Sequence, residues 1–189
     1  MVRIMKNVDS ILESYDGIFS SDRGIFAGIM LCREHECPGS ALVLVYSAID
    51  NLAFLTMDEK RGDVTGADFR RVAKQYIGSS VGATADELWA ARCGILHCHT
   101  ADSKLSRERH ILKLVYQYGS VQPKRSKREG WLMVNLDKLI IRLRKAIIAI
   151  RKQIEQGKLD PLVTSKRLSQ MFNPEHSKQL YEYQIGKSS

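Results

Sequence analysis

Ile4, Val8, Ile11, Leu12, Tyr15, Ile18 and Phe19 recur at intervals of three and four, which predicts an amphipathic helix with one apolar stripe. Gly24 to Glu36 reads as a short second helix stopped by Pro38. Ser40 then stands as a cap for ALVLVYSAIDNLAFL. That run is apolar on nearly every side, so it is expected to be a central, buried helix. Asp50 lies inside it and needs a partner if it is buried. The polar stretch 58–66 predicts a loop, and Phe69, Val72, Ala73, Tyr76 and Ile77 mark a further helix. Thr84-Ala85-Asp86-Glu87 fits a capping box, in which hydroxyl and carboxylate satisfy opposite backbone donors, and predicts a helix over 85–100.

The period then changes. HILKLVYQY (110–118) and WLMVN (131–135) are strand-like, and the polar, basic GSVQPKRSKRE lies between them, so a two-stranded hairpin is expected. Leu136, Leu139, Ile140, Leu143, Ile147, Ile150 and Ile154 restore the helical spacing as far as Gln156, and Gly157 and Pro161 end it. The expected fold is mainly α: one helical domain over 1–157, with a small basic β-hairpin appendage at about 110–135. A C-terminal tail over 158–189, partly flexible and with room for one short helix, completes the chain.

Composition narrows the class. With 44% hydrophobic and 26% charged residues, the chain can bury a core and is neither fibrous nor disordered. No apolar run reaches the roughly 20 residues of a membrane-spanning helix. The opening MVRIMKNVDS lacks the apolar segment of a signal peptide, and four cysteines make no disulfide framework. A cytoplasmic chain with reduced thiols and no membrane association is expected. The net charge of +8 is unevenly placed: residues 104–152 hold 14 basic and 3 acidic side chains, whereas residues 1–103 hold 10 and 14. A basic stretch of this size is either a solvated surface or a site for a polyanion such as nucleic acid.

Phosphate-binding glycine loops and H-E-x-x-H are absent from the sequence. Cys32/Cys37 and Cys93/Cys98 form two C-x4-C pairs, with His35, His97 and His99 nearby. Zinc fingers place such ligands on tight turns, whereas Cys93 and Cys98 fall about 140° apart on a predicted helix, so packing thiols and no metal site are expected. The informative segment is LWAARCGILHCHT, 88–100, in which Leu88, Arg92, Ile95, Leu96 and His99 share a helix face. A guanidinium within an apolar stripe stays charged and needs an anion. Either Asp50 or another carboxylate ties it to a neighbouring helix, or that face lines a pocket that receives an anionic ligand.

Arg92-Cys93-Gly94-Ile95-Leu96-His97, preceded by an apolar helix carrying Asp50, resembles the R-x4–6-H signature of the HEPN superfamily. The resemblance covers about residues 5–100, extending as far as 155. It implies a helical bundle that dimerises. It also implies a metal-independent endoribonuclease of the toxin–antitoxin, anti-phage or RNA-processing kind, without a cofactor, under the control of an antitoxin or other regulatory protein. Members that have lost catalysis serve as RNA- or protein-binding modules. Cys93 stands where many active members place a small polar residue, which keeps the non-catalytic alternative open. His99 stands where some toxins carry a modifiable tyrosine, so inhibition by that modification is not implied.

Metal-free RNA cleavage needs a base to deprotonate the 2′-hydroxyl, an acid for the leaving 5′-oxygen, and a cation for the phosphorane. Histidine suits proton transfer, and arginine suits the phosphorane through its planar donors and permanent charge. On this reading Arg92 and His97 are catalytic, and Asp50 orients Arg92. His99, at R-x6-H and on the same face as Arg92, is the alternative to His97. Arg92 and His97 point about 140° apart on a straight helix, which a two-fold dimer would repair by sharing the site. Lys124, Arg125, Lys127 and Arg128, in the proposed hairpin loop, would hold the RNA backbone. A helical effector-binding or membrane-surface domain is the remaining reading.

Overall fold

The structure is a computed structural model that describes residues 2–20, 22–98, 111–120 and 122–171, with the backbone alone for 2–7 and 98. It is mainly helical with one small sheet. The helices are α1 (Val2–Phe19), α2 (Ile25–Glu34), α3 (Pro38–Thr56), α4 (Gly66–Val72), α5 (Gly78–Val81), α6 (Ala85–Cys98), α7 (Leu136–Glu155) and α8 (Pro161–Gln170). Between α4 and α5 the chain widens into a π-helical turn, Ala73–Ile77.

The apolar run of α3 makes it the centre of the molecule. Val45, Tyr46, Ala48, Ile49 and Leu52 are all fully buried, and α2, α4, α6, α7 and α8 pack around it. At 19 residues, with a mean hydropathy of 1.4, α3 is long and apolar enough to cross a membrane, and half of its apolar window is buried in the core. The stripes of α1 and α7 face each other, with Ile11, Tyr15 and Phe19 against Leu143, Ile147 and Ile150 in one core. The Tyr15 hydroxyl donates to the Ile147 carbonyl at 2.9 Å, and Arg151 donates to both Asp16 oxygens at 2.8 and 2.9 Å.

Two prolines do the opposite of what the pattern predicts. Pro38 does not stop α2 but begins α3 after Cys37, so Ser40 lies inside the helix rather than capping it. Pro161 likewise opens α8 behind Asp160, whose side chain accepts from Val163 N. A proline at the first helical position gives up only an N–H that would be orphaned there, and its fixed φ suits the helix. The turn between α7 and α8 is made by Gly157, whose φ of +66° few other residues adopt.

The boundary expected at 157 therefore falls inside the packed body. Leu168 of α8 is 2% exposed and joins the core, while 172–189 lie outside the described residues. Arg167, 5% exposed, donates to the carbonyls of Leu55, Met57 and Asp58 at 3.2, 2.8 and 2.7 Å, satisfying the C-terminal end of α3. Arg167→Leu strands those carbonyls, so a loss of about 2–4 kcal/mol in unfolding free energy is expected from denaturant titration.

The expected two-stranded hairpin is a three-stranded sheet, β1 (Lys113–Gln117), β2 (Lys124–Ser126) and β3 (Trp131–Asn135), in the order β1-β3-β2. β1 and β3 are parallel, and β2 pairs antiparallel with β3. The 118–130 connection is long enough for the crossover that a parallel pair requires, and its basic part supplies β2. Leu114, Leu132 and Val134 turn into the core, which fixes the register Leu114↔Leu132.

Candidate active site

The start of α6 is built as a capping box. Thr84 N donates to Glu87 Oε2 at 2.8 Å, and Glu87 N donates to the Thr84 hydroxyl at 3.1 Å. Arg125 on β2 closes over the same carboxylate, with Nη1–Oε1 at 2.6 Å and Nη2–Oε2 at 3.2 Å, and also donates to the Gly82 carbonyl at 3.0 Å. Arg125 is thus committed to the fold and is not a free loop cation. Arg125→Glu sets a carboxylate against the buried Glu87, and a destabilisation of about 2 kcal/mol is expected by thermal melting. Lys124 lies exposed on β2, and Lys127 and Arg128 lie exposed in the β2–β3 turn. Arg125 stands at the N-terminal end of α6, where Lys127 lines a cleft with it, Thr84 and Glu87, and about 15 Å of helix separates Glu87 from His97. Arg125 and Lys127 are therefore not gathered around His97.

Leu88, Ala91 and Ile95 bury one face of α6, which packs on α3 and α4. Arg92 borders that face, and Asp50 meets it from α3. Its Nε donates to Asp50 Oδ2 at 2.8 Å and its Nη2 lies 2.7 Å from the same oxygen, with the two side chains 19% and 16% exposed. The remaining Nη1 lies 3.0 Å from His97 Nε2. A guanidinium can only donate, so Nε2 is the acceptor in this contact. The wheel angle that separates Arg92 from His97 does not keep them apart. Helical side chains lean toward the N-terminus, so His97 leans back over the preceding turns, and the long arginine closes the remaining distance. One chain therefore assembles Arg92, Asp50 and His97 without help from a second copy. His97 is exposed at the helix end, while His99 lies outside the described residues.

Burial pushes the Asp50 carboxyl above its ordinary range, while Arg92 and His97 pull it back only in part. Burial also raises the Cys93 thiol, against the fields of Arg92 and Arg70. A thiol held up in this way is a poor nucleophile, so Cys93 packs beside the site rather than reacting in it. Among the described residues no three His, Cys, Asp or Glu side chains converge as a metal cluster.

Two further residues belong to this cluster. The Arg92 guanidinium carbon lies 5.1 Å from the centroid of the Trp89 ring, and that of Arg70, from α4, lies 5.4 Å from the same ring. Arg70 Nε also donates to Asp86 Oδ1 at 2.6 Å. Gly66 makes room for this arrangement, since a Cβ there would come within 2.9 Å of the indole and 3.0 Å of Arg70 Nη1. The Trp89–Arg92 neighbourhood has a signal in the sequence, a spacing of i,i+3 on one helix. Arg70 has none, because the approach of α4 to α6 is tertiary. No protein-family model, curated protein or solved structure matches the chain.

Proposed function

We propose that this chain is a HEPN-type, metal-independent endoribonuclease that cleaves RNA by attack of the 2′-hydroxyl on the adjoining phosphorus. The observation that carries the reading is the 3.0 Å contact between Arg92 Nη1 and His97 Nε2, with Arg92 fixed from behind by Asp50. Phosphate entering beside Arg92 draws Nη1 onto a phosphate oxygen and releases Nε2, whose lone pair is then free for the 2′-hydroxyl proton. As the phosphorane forms, Arg92 stabilises its charge. The 5′-oxygen leaves with a proton from a second group, and the products are a 2′,3′-cyclic phosphate and a 5′-hydroxyl.

One His97 makes one proton transfer, so the second falls to His97 of another copy across a two-fold axis, or to His99. The homodimer rests on this need for a second proton-transfer group. RNA is the substrate, an antitoxin or other regulatory protein is a fitting partner, and the cytoplasm is the fitting compartment. Lys124, Lys127 and Arg128 extend the grip on the RNA backbone away from the site. Reversing Lys127 and Arg128 together is expected to weaken RNA binding with melting temperature unchanged. Its log–log salt dependence is expected to flatten by about one unit for each phosphate left without a cation.

A second reading draws on the same ion pair. A guanidinium closed on a carboxylate ties α3 to α6 whether or not RNA is cut, which favours a non-catalytic RNA- or protein-binding module. Incubating the purified protein with mixed RNA in EDTA separates the two. The ribonuclease yields 2′,3′-cyclic phosphate ends that Arg92→Ala does not produce, and the binding module leaves RNA intact.

A further inference from the structure

Arg70 plays no part in the reaction outlined above, yet it shares the Trp89 ring with Arg92. The two guanidiniums lie with their carbons 5.4 and 5.1 Å from one ring centroid. Each has a carboxylate, but the two pairs differ in kind. Asp50 is 16% exposed and lies 2.7–2.8 Å from two nitrogens of Arg92, whereas Asp86 is 58% exposed and meets Arg70 through Nε. An exposed pair of the second sort contributes little and exchanges readily with another anion. The ring itself is fixed by Gly66 at its edge and by Phe69, whose centroid lies 5.3 Å away. Trp89 therefore holds the two cations in a set relation.

We infer that Arg70 and Arg92, mounted on Trp89, form a two-phosphate subsite that takes adjoining phosphates of a single RNA strand. Arg92 engages the scissile phosphate and Arg70 its neighbour, Asp86 being displaced as the strand enters. Trp89 is a positioning residue that touches no phosphate. This assignment rests on the ribonuclease reading for what happens at Arg92, but the subsite can be tested without any cleavage.

The probes are the deoxynucleotides TpT and TpTpT, which carry one and two phosphates and, lacking a 2′-hydroxyl, cannot be cut. Trp89 fluorescence reports binding in a Trp131→Phe background, which leaves Trp89 as the single tryptophan. TpTpT is expected to bind at least about tenfold tighter than TpT, as a charged hydrogen bond to the second phosphate implies. Arg70→Ala is expected to abolish that gain, and Arg70→Lys to restore part of it. Asp86→Asn frees Arg70 and is expected to tighten TpTpT binding, a change of opposite sign that misfolding would not give. If Arg70→Ala keeps the full gain, or the parent protein shows none, the subsite is overturned. An Arg70-dependent gain in a protein that leaves RNA uncut sustains the subsite and overturns the ribonuclease. Cleavage of RNA together with an Arg70-independent gain does the reverse.

Discussion

Arg92→Ala is expected to abolish RNA cleavage, by about a thousandfold or more, and to destabilise the fold by about 2–4 kcal/mol. The first effect follows from losing the permanent cation at the phosphorane. The second follows from leaving Asp50 without the guanidinium that lies 2.8 and 2.7 Å from its Oδ2. Side-chain exposures of 16% and 19% let water soften that cost without removing it. The pH dependence gives the stability effect its signature. Burial already raises Asp50, and Arg92 is the main influence lowering it. Without Arg92 the folded-state carboxyl rises further above its unfolded value. A raised carboxyl favours the folded state below the unfolded pKa, and that advantage is lost as pH climbs through the folded pKa. The melting deficit of Arg92→Ala against the parent is therefore expected to be large at pH 8 and to shrink toward pH 4–5. Adding Asp50→Asn removes the stranded charge, so the double variant is expected to recover melting temperature at pH 8 while remaining inactive. Recovery of cleavage in the double variant would show that Arg92 serves only to neutralise Asp50.

How far the site was legible depends on what each residue demands of its neighbours. A guanidinium in an apolar stripe demands a carboxylate, and the long apolar helix contains one, Asp50, so this pairing could be anticipated from the chain alone. The capping box at Thr84 was legible because it is local, complete within four residues. The failures were tertiary or directional. Arg125 sits in a run of basic residues that resembles a solvated loop, and nothing nearby announces that Glu87, 38 positions earlier, closes on it. Both strands show in the β-rich pattern, but their parallel pairing depends on where Leu114 and Val134 enter the core. Pro38 and Pro161 are compatible with either end of a helix, and the residue before each decides only once its backbone conformation is known. A helical wheel draws the side chains of Arg92 and His97 as radial spokes, neglecting their lean along the axis and the reach of arginine. Arg70 entered the cluster through the packing of α4 on α6, for which no spacing rule exists.

His97→Ala is expected to lower the cleavage rate by about 10²–10⁴-fold while leaving melting temperature unchanged. The side chain is exposed at the end of α6, and its contact with Arg92 is one that water can replace. The same drop in rate would follow if His97 merely steadied Nη1, so a second variant is needed. The amide oxygen of His97→Gln can accept from Arg92, yet the side chain cannot take up and release a proton near neutral pH. Inactivity of both variants identifies proton transfer, whereas cleavage by His97→Gln alone reduces His97 to a positioning role. His99→Ala completes the set, because the sequence places His99 on the face of Leu88 and Ile95, where its removal should lower stability. A folded but inactive His99→Ala beside a cleaving His97→Ala would move the catalytic histidine two positions along the chain. Mixing experiments then locate the second proton-transfer group. Arg92→Ala and His97→Ala are each inactive alone, and a two-fold shared site allows their co-refolded heterodimer to regain part of the rate by uniting the intact residues of both copies. Absence of any recovery in a verified heterodimer would assign the second proton transfer to His99 of the same chain, beside Asp50, Arg92 and His97.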